Sequence, residues 1–88
     1  MLFGIPGEKD DEGTSAFVEH GIVQKAIAEI RKNFGDKIVI MADVCLCQYT
    51  TSGHCGLIHN DKIDNDSSLK TLAKIAVSQA KAGVDVVS

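Results

Sequence analysis

Three cysteines fall within eleven residues: Cys45, Cys47 and Cys55, in the spacing C-x-C-x7-C. Three thiolates can hold a zinc ion and leave the fourth tetrahedral position for water or substrate, whereas a structural zinc site closes with four protein ligands. Bound zinc would keep the thiols deprotonated. An odd number of cysteines this close together is a poor disulfide framework. In a reducing compartment, clustered cysteines more often bind metal or do chemistry. In an extended stretch, Cys45 and Cys47 would share a face, and the turn at Gly53 could bring Cys55 back to them. Two other readings stand beside metal binding. One is inert thiols, since cysteine is among the most buried residue types. The other is redox chemistry, although the spacing matches neither a zinc ribbon nor the redox C-x-x-C pattern.

Two further residues could take part. Asp43 ends an apolar run, and a carboxylate there needs a partner or water. It could accept a hydrogen bond from a substrate, orient an amine, or cap a turn. His54 precedes Cys55 and could be a ligand, an acid/base group, or a loop histidine bonded to backbone. His20, near a helix start, and His59, in a polar loop, read as solvated.

Strands and helices must position these groups. Leu2–Ile5 is a short apolar run stopped by Pro6-Gly7 and reads as the end of a buried strand; Lys9–Ser15 reads as a solvated polar loop. Val23, Ile27, Ile30 and Phe34 recur on one helix face. Arg31 and Lys32 suit the dipole at that helix's end, and Gly35 sits where a C-cap glycine belongs. Lys37–Val44 is almost continuously apolar, as in a parallel strand covered on both faces. The long irregular stretch Cys45–Asn65 follows, of a length that marks a functional or a disordered loop. Asp64, Asn65 or Asp66 can cap a second helix. Leu69, Leu72, Ala73, Ala76 and Ala80 are its expected buried stripe, Gly83 its end, and Val84–Val87 a third strand.

Strand, helix, strand, helix, strand implies parallel strands with right-handed crossovers. A unit this small leaves one sheet face and both edges uncovered. The 88 residues therefore read as a single, incomplete α/β domain, cut from a (β/α)8 barrel or an open doubly wound sheet. In either fold the cysteines follow the C-terminal end of a strand, where active sites lie.

Composition removes several function classes. The net charge is -3 and the Lys and Arg residues form no basic block, so nothing points to nucleic acid. No apolar run approaches the ~20 residues needed to span a bilayer. The N-terminus lacks a signal-peptide pattern, so the cytoplasm is the expected compartment. There is no G-x-G-x-x-G, no P-loop and no readable Ser-His-Asp set, which argues against a nucleotide-binding half-domain.

The run DVCLCQYTTSGHCG, Asp43–Gly56, closely resembles the metal loop of the porphobilinogen synthase (5-aminolevulinate dehydratase) family. The flanks agree: LFGIP at Leu2–Pro6, Lys9-Asp10, VQKAI at Val23–Ile27, DND at Asp64–Asp66, and AVSQAKAGVDVV at Ala76–Val87. Family members that do not use this zinc site usually carry aspartates in place of the cysteines. The resemblance implies a (β/α)8 barrel, to which these residues would supply about three of eight strands. It also implies condensation of two 5-aminolevulinate molecules to porphobilinogen, with loss of two waters. Two lysines on later strands would form Schiff bases with the substrates, and no lysine of this chain lies at either position. Cys45, Cys47 and Cys55 would be the ligands of a Zn2+ that polarises the second substrate, and Asp43 the active-site aspartate beside it. His54 matches a histidine that joins a second metal site in some members. Mg2+ elsewhere in the parent enzyme and a homo-oligomer, commonly an octamer, are further expectations. Ser52 stands where the family usually has histidine, and Gln48 at a variable position. A stand-alone zinc-binding module derived from the family is the competing reading.

Overall fold

The expected alternation is realised in a computed structural model that describes residues 1–54, 56–59 and 62–88. Helix α1 (Ile22–Phe34) starts after Gly21 and stops at Gly35, whose φ of 56° needs no side chain. The Gly35 N–H donates to the Arg31 carbonyl. Val23 and Ile27 are buried and Ile30 partly so, whereas Phe34, the last of the expected stripe, is 51% exposed. Helix α2 (Asn65–Ala82) is capped by Asp64, whose carboxylate accepts from the Ser67 N–H at 3.2 Å and the Ser67 hydroxyl at 2.9 Å. Those bonds, the hydroxyl's first, hold its pKa below the usual carboxylate value.

The buried stripe of α2 differs from the expected one. Ser68, Thr71, Ile75 and Gln79 face inward, while Ala73 and Ala80 are exposed and Leu69 is 64% exposed. The inward phase is set by Ile75, 1% exposed, and by hydrogen bonds that apolarity alone does not reveal. The Ser68 hydroxyl donates to the Asp64 carbonyl and accepts from the Leu57 N–H.

Three parallel segments lie side by side in chain order. Leu2 bridges Ala42 of β1 (Met41–Ala42), and β1 pairs with β4 (Val86–Val87), Met41 opposite Val86 and Ala42 opposite Val87. Between β1 and α2, the stretch expected to be irregular contains an antiparallel hairpin, β2 (Ile58–His59) with β3 (Lys62–Ile63). A short 3-10 turn, Thr14–Ala16, lies at the end of the expected Lys9–Ser15 loop.

Among the described residues only one sheet face is covered. Ile40 and Ala42 are buried with Val23 and Ile27 of α1. Side chains of the opposite phase are open: Phe3 is 62%, Ile5 76% and Val39 74% exposed. Coverage on both faces, expected from the continuous apolarity of Lys37–Val44, is thus supplied among the described residues on the helix side alone. A second cluster joins Ala16, Leu46, Tyr49 and Ile75, so α2 packs directly against the cysteine segment.

Arg31 fastens α1 to the far end of the sheet. Its guanidinium donates to the carbonyls of Gly83, Gly35 and Ile38 and pairs with Asp85. Asp85 also accepts from the Ile40 N–H at 2.8 Å. That backbone bond first, and Arg31 second, hold the exposed Asp85 carboxyl below its usual range. A carboxyl depressed on folding stabilises above its unfolded pKa of ~3.9, and the stabilisation is lost as pH falls through the lower folded value. Asp85→Asn is therefore expected to melt below wild type at neutral pH, with the gap closing under about pH 4. A gap independent of pH in melts across that range would contradict the assignment.

Candidate metal centre

Strand β1 hands over directly to the cysteines. The Asp43 N–H donates to the Leu2 carbonyl at 3.1 Å, and the Val44 N–H to the Ser88 carbonyl at 2.7 Å. The half-buried Asp43 is thus held in the sheet, one residue beyond the end of β1. Leu46 then turns fully inward, 0% exposed, which leaves its neighbours Cys45 and Cys47 half-buried beside it. The chain wraps once here, with the N–H groups of Tyr49 and Thr50 both donating to the Leu46 carbonyl, at 2.9 and 3.0 Å.

The Cys45 and Cys47 sulfurs lie 3.4 Å apart. A disulfide requires ~2.05 Å, whereas two thiolates at Zn–S of about 2.3 Å in a tetrahedron stand ~3.8 Å apart. The two sulfurs are thus in hydrogen-bond contact and not joined as a disulfide, and a shared zinc would hold them about 0.4 Å further apart. Among the described residues no group of three or more metal-binding side chains converges. Cys55, the third sequence candidate, lies outside the described residues.

Two glycines make room for this turn. A Cβ at Gly13, where φ is 65°, would sit 2.7 Å from Leu46 Cδ2, and a Cβ at Gly4 only 2.4 Å from the Tyr49 hydroxyl oxygen. Tyr49 is 5% exposed. Burial pushes its phenol pKa up, and the charges of Asp43, Cys45 and Cys47 push it the same way.

The rest of the loop is tied to a segment expected to be merely solvated. The Asp10 N–H donates to the Tyr49 carbonyl, the Thr51 N–H to the Asp10 carbonyl, and the Thr51 hydroxyl to Asp11 at 2.7 Å. Asp10 is exposed, yet its carboxylate accepts from the N–H groups of Glu12 and Thr14. Bonds from Thr14, the side chain's first, keep its pKa low. His54 is exposed; its carbonyl accepts from the Thr50 hydroxyl, and its N–H donates to the Ser52 hydroxyl at 3.3 Å. Ser52 therefore takes part in the loop's own bonding. His20 and His59 are exposed, as expected.

Two residues near the cysteines escaped the sequence reading. Tyr49, between Gln48 and Thr50, looked like part of a loop. Gln79 of α2 donates from Nε2 to the Asp43 carbonyl at 2.9 Å. Its signal was a polar residue four positions from Ile75, in phase with the buried face. The Gln79 Oε1 is buried without a hydrogen-bond partner among the described residues, as are those of Gln24 and Gln48. Such an orphan costs about 1–3 kcal/mol.

The sequence matches the delta-aminolevulinic acid dehydratase family over residues 1–88. The chain belongs to this family. The delta-aminolevulinic acid dehydratase of Bacillus subtilis strain 168 is 58% identical over all of this chain, which covers 27% of that protein. The Archaeoglobus fulgidus dehydratase is 47% identical, again over the whole chain and 27% of its own length. The fold agrees with a crystal structure of delta-aminolevulinic acid dehydratase (porphobilinogen synthase) from Toxoplasma gondii ME49 in complex with the reaction product porphobilinogen. There the TM-score is 0.86 at 32% identity, covering 90% of this chain and 23% of that one. The chain thus spans about a quarter of the length of these dehydratases. No helix among its described residues is long and apolar enough to cross a membrane.

Proposed function

We propose that the protein carrying this chain is a zinc-dependent porphobilinogen synthase, and that these residues supply its metal loop. The observation that carries the reading is the pair of sulfurs 3.4 Å apart, just past the C-terminal end of β1 and next to Asp43. Membership of the dehydratase family supports the reaction: two 5-aminolevulinate molecules condense to porphobilinogen with loss of two waters.

The architecture we infer is a (β/α)8 barrel. Leu2, β1 and β4 are parallel neighbours in chain order. A barrel builds its strands in that sequence and places its active site at their C-terminal ends. The open face bearing Phe3, Ile5, Val39 and Met41 would become barrel interior.

Cys45 and Cys47, with Cys55, are the residues we assign to the metal. Bound there with one position open, zinc would supply a Lewis acid for the second substrate. Asp43, held between Leu2 and Gln79, would present its carboxylate to the substrate amine, accepting its hydrogen bonds and fixing its orientation. Leu46 and Tyr49 exclude water from beneath the loop. His54, exposed beside it, is kept for the second metal that family resemblance suggests. A homo-octamer with Mg2+ bound elsewhere is part of the reading on that resemblance alone.

The test is to incubate the complete gene product with 5-aminolevulinate and zinc. Porphobilinogen is the expected product. Zinc binding without turnover would overturn the enzyme reading in favour of a metal-binding module. By family resemblance the Schiff-base lysines belong to later strands of the barrel, so the isolated 88-residue polypeptide is expected to form no porphobilinogen. Product from it would remove the lysines from the mechanism.

A further inference from the structure

We propose that Gln79 is a positioning residue for the metal loop, acting through the backbone of Asp43. The inference rests on the synthase reading only for what it says about turnover.

Gln79 is 1% exposed and shares the inward face of α2 with Ile75. An aliphatic side chain would pack there without leaving an amide oxygen buried and, among the described residues, unpartnered, as Gln79 Oε1 is. What the amide supplies instead is one directed bond, from Nε2 to the Asp43 carbonyl at 2.9 Å, across 36 positions of sequence. The base of that lever is itself fixed: the Gln79 carbonyl accepts from the N–H groups of Gly83 and Val84, where α2 ends and the chain turns toward β4. On its other side Asp43 is held by its own N–H bond to Leu2. The residue that opens the cysteine segment is therefore clamped between Leu2 and the last turn of α2. Because successive strand residues alternate in direction, rotation at Asp43 would re-aim both its carboxylate and the following thiols.

A residue present only for packing would trade stability and function together. A positioning residue that leaves an orphan oxygen would not. In the complete gene product, Gln79→Met keeps the side-chain length and removes both the donor and the orphan. Its melting temperature is expected to equal or exceed that of wild type. Amide exchange over Asp43–Cys47 should accelerate at least ~10-fold with the rest of both core clusters unchanged. The kcat for porphobilinogen should fall ~10-fold with KM changed less than about twofold, as misplaced catalytic groups produce. Gln79→Leu should behave alike. Unchanged exchange at Asp43–Cys47 would overturn the proposal. So would a lowered melting temperature with exchange raised throughout, or failure of both variants to fold, since either makes Gln79 a packing residue. If wild type forms no porphobilinogen, the synthase reading fails, and the exchange measurement still decides the role of Gln79.

Discussion

Replacing Cys45 with serine in the complete gene product is expected to lower zinc occupancy and porphobilinogen formation together. Loss of an outer partner of a metal ligand typically costs 10–100-fold, and loss of a ligand itself should cost at least ~10²-fold in turnover. The hydroxyl of serine is a harder, less acidic donor than the thiol, and Cys45 is one of two sulfurs already 3.4 Å apart. Metal analysis and steady-state rates on the same preparation give the answer. The melting temperature without zinc should move little, since Cys45 is only half-buried. A variant that keeps its full zinc and its turnover would remove Cys45 from the site.

The largest effect on stability is expected at the residue between the two cysteines. Leu46 is 0% exposed and packs against Ala16, Tyr49 and Ile75, joining the cysteine turn to α2 and to the Thr14–Ala16 turn. Leu46→Ala removes buried methyl and methylene groups from a site beside Gly13, where an added Cβ would meet Leu46 Cδ2 at 2.7 Å. Wall backbone of this kind relaxes little, so the loss should reach ~2–5 kcal/mol. Leu46→Met, nearly equal in volume, should cost less than about 1.5 kcal/mol. Urea denaturation of the two variants against wild type measures both values. Equal losses in Ala and Met would show that shape rather than volume governs the site, contrary to this packing scheme.

Much of this arrangement was legible in the sequence where one physical signal dominates. The face of α1 followed from Val23 and Ile27 at helical spacing, and its end from Gly35. The family was readable from the run Asp43–Gly56, and the matched dehydratases bear it out. The parallel order followed from strands alternating with helices. Where hydrophobicity and hydrogen bonding compete, the reading went astray. Apolar residues on α2 pointed to Leu69 and Ala73, yet Ser68 and Gln79 take the inward positions because each bonds a backbone group beside the cysteine loop. The antiparallel pairing of Ile58–His59 with Lys62–Ile63 involves segments too short for an alternation to be detected. The acidic segment after Lys9 looked solvated because its bonds run to Tyr49 and Thr51, about forty residues away. Asp43 and Cys45 with Cys47 could be named from their types and spacing. Their support by Gln79, Tyr49 and Gly4 could not, since it depends on contacts between distant segments.

The most direct measurement is a zinc titration of the complete gene product after a chelator has stripped its metal, following porphobilinogen formed from 5-aminolevulinate. The account predicts no product from the stripped protein and a return of activity that saturates as zinc is restored, with Cys45→Ser failing to recover at the same zinc concentration. Undiminished synthesis by the stripped protein, or none at saturating zinc, would contradict it.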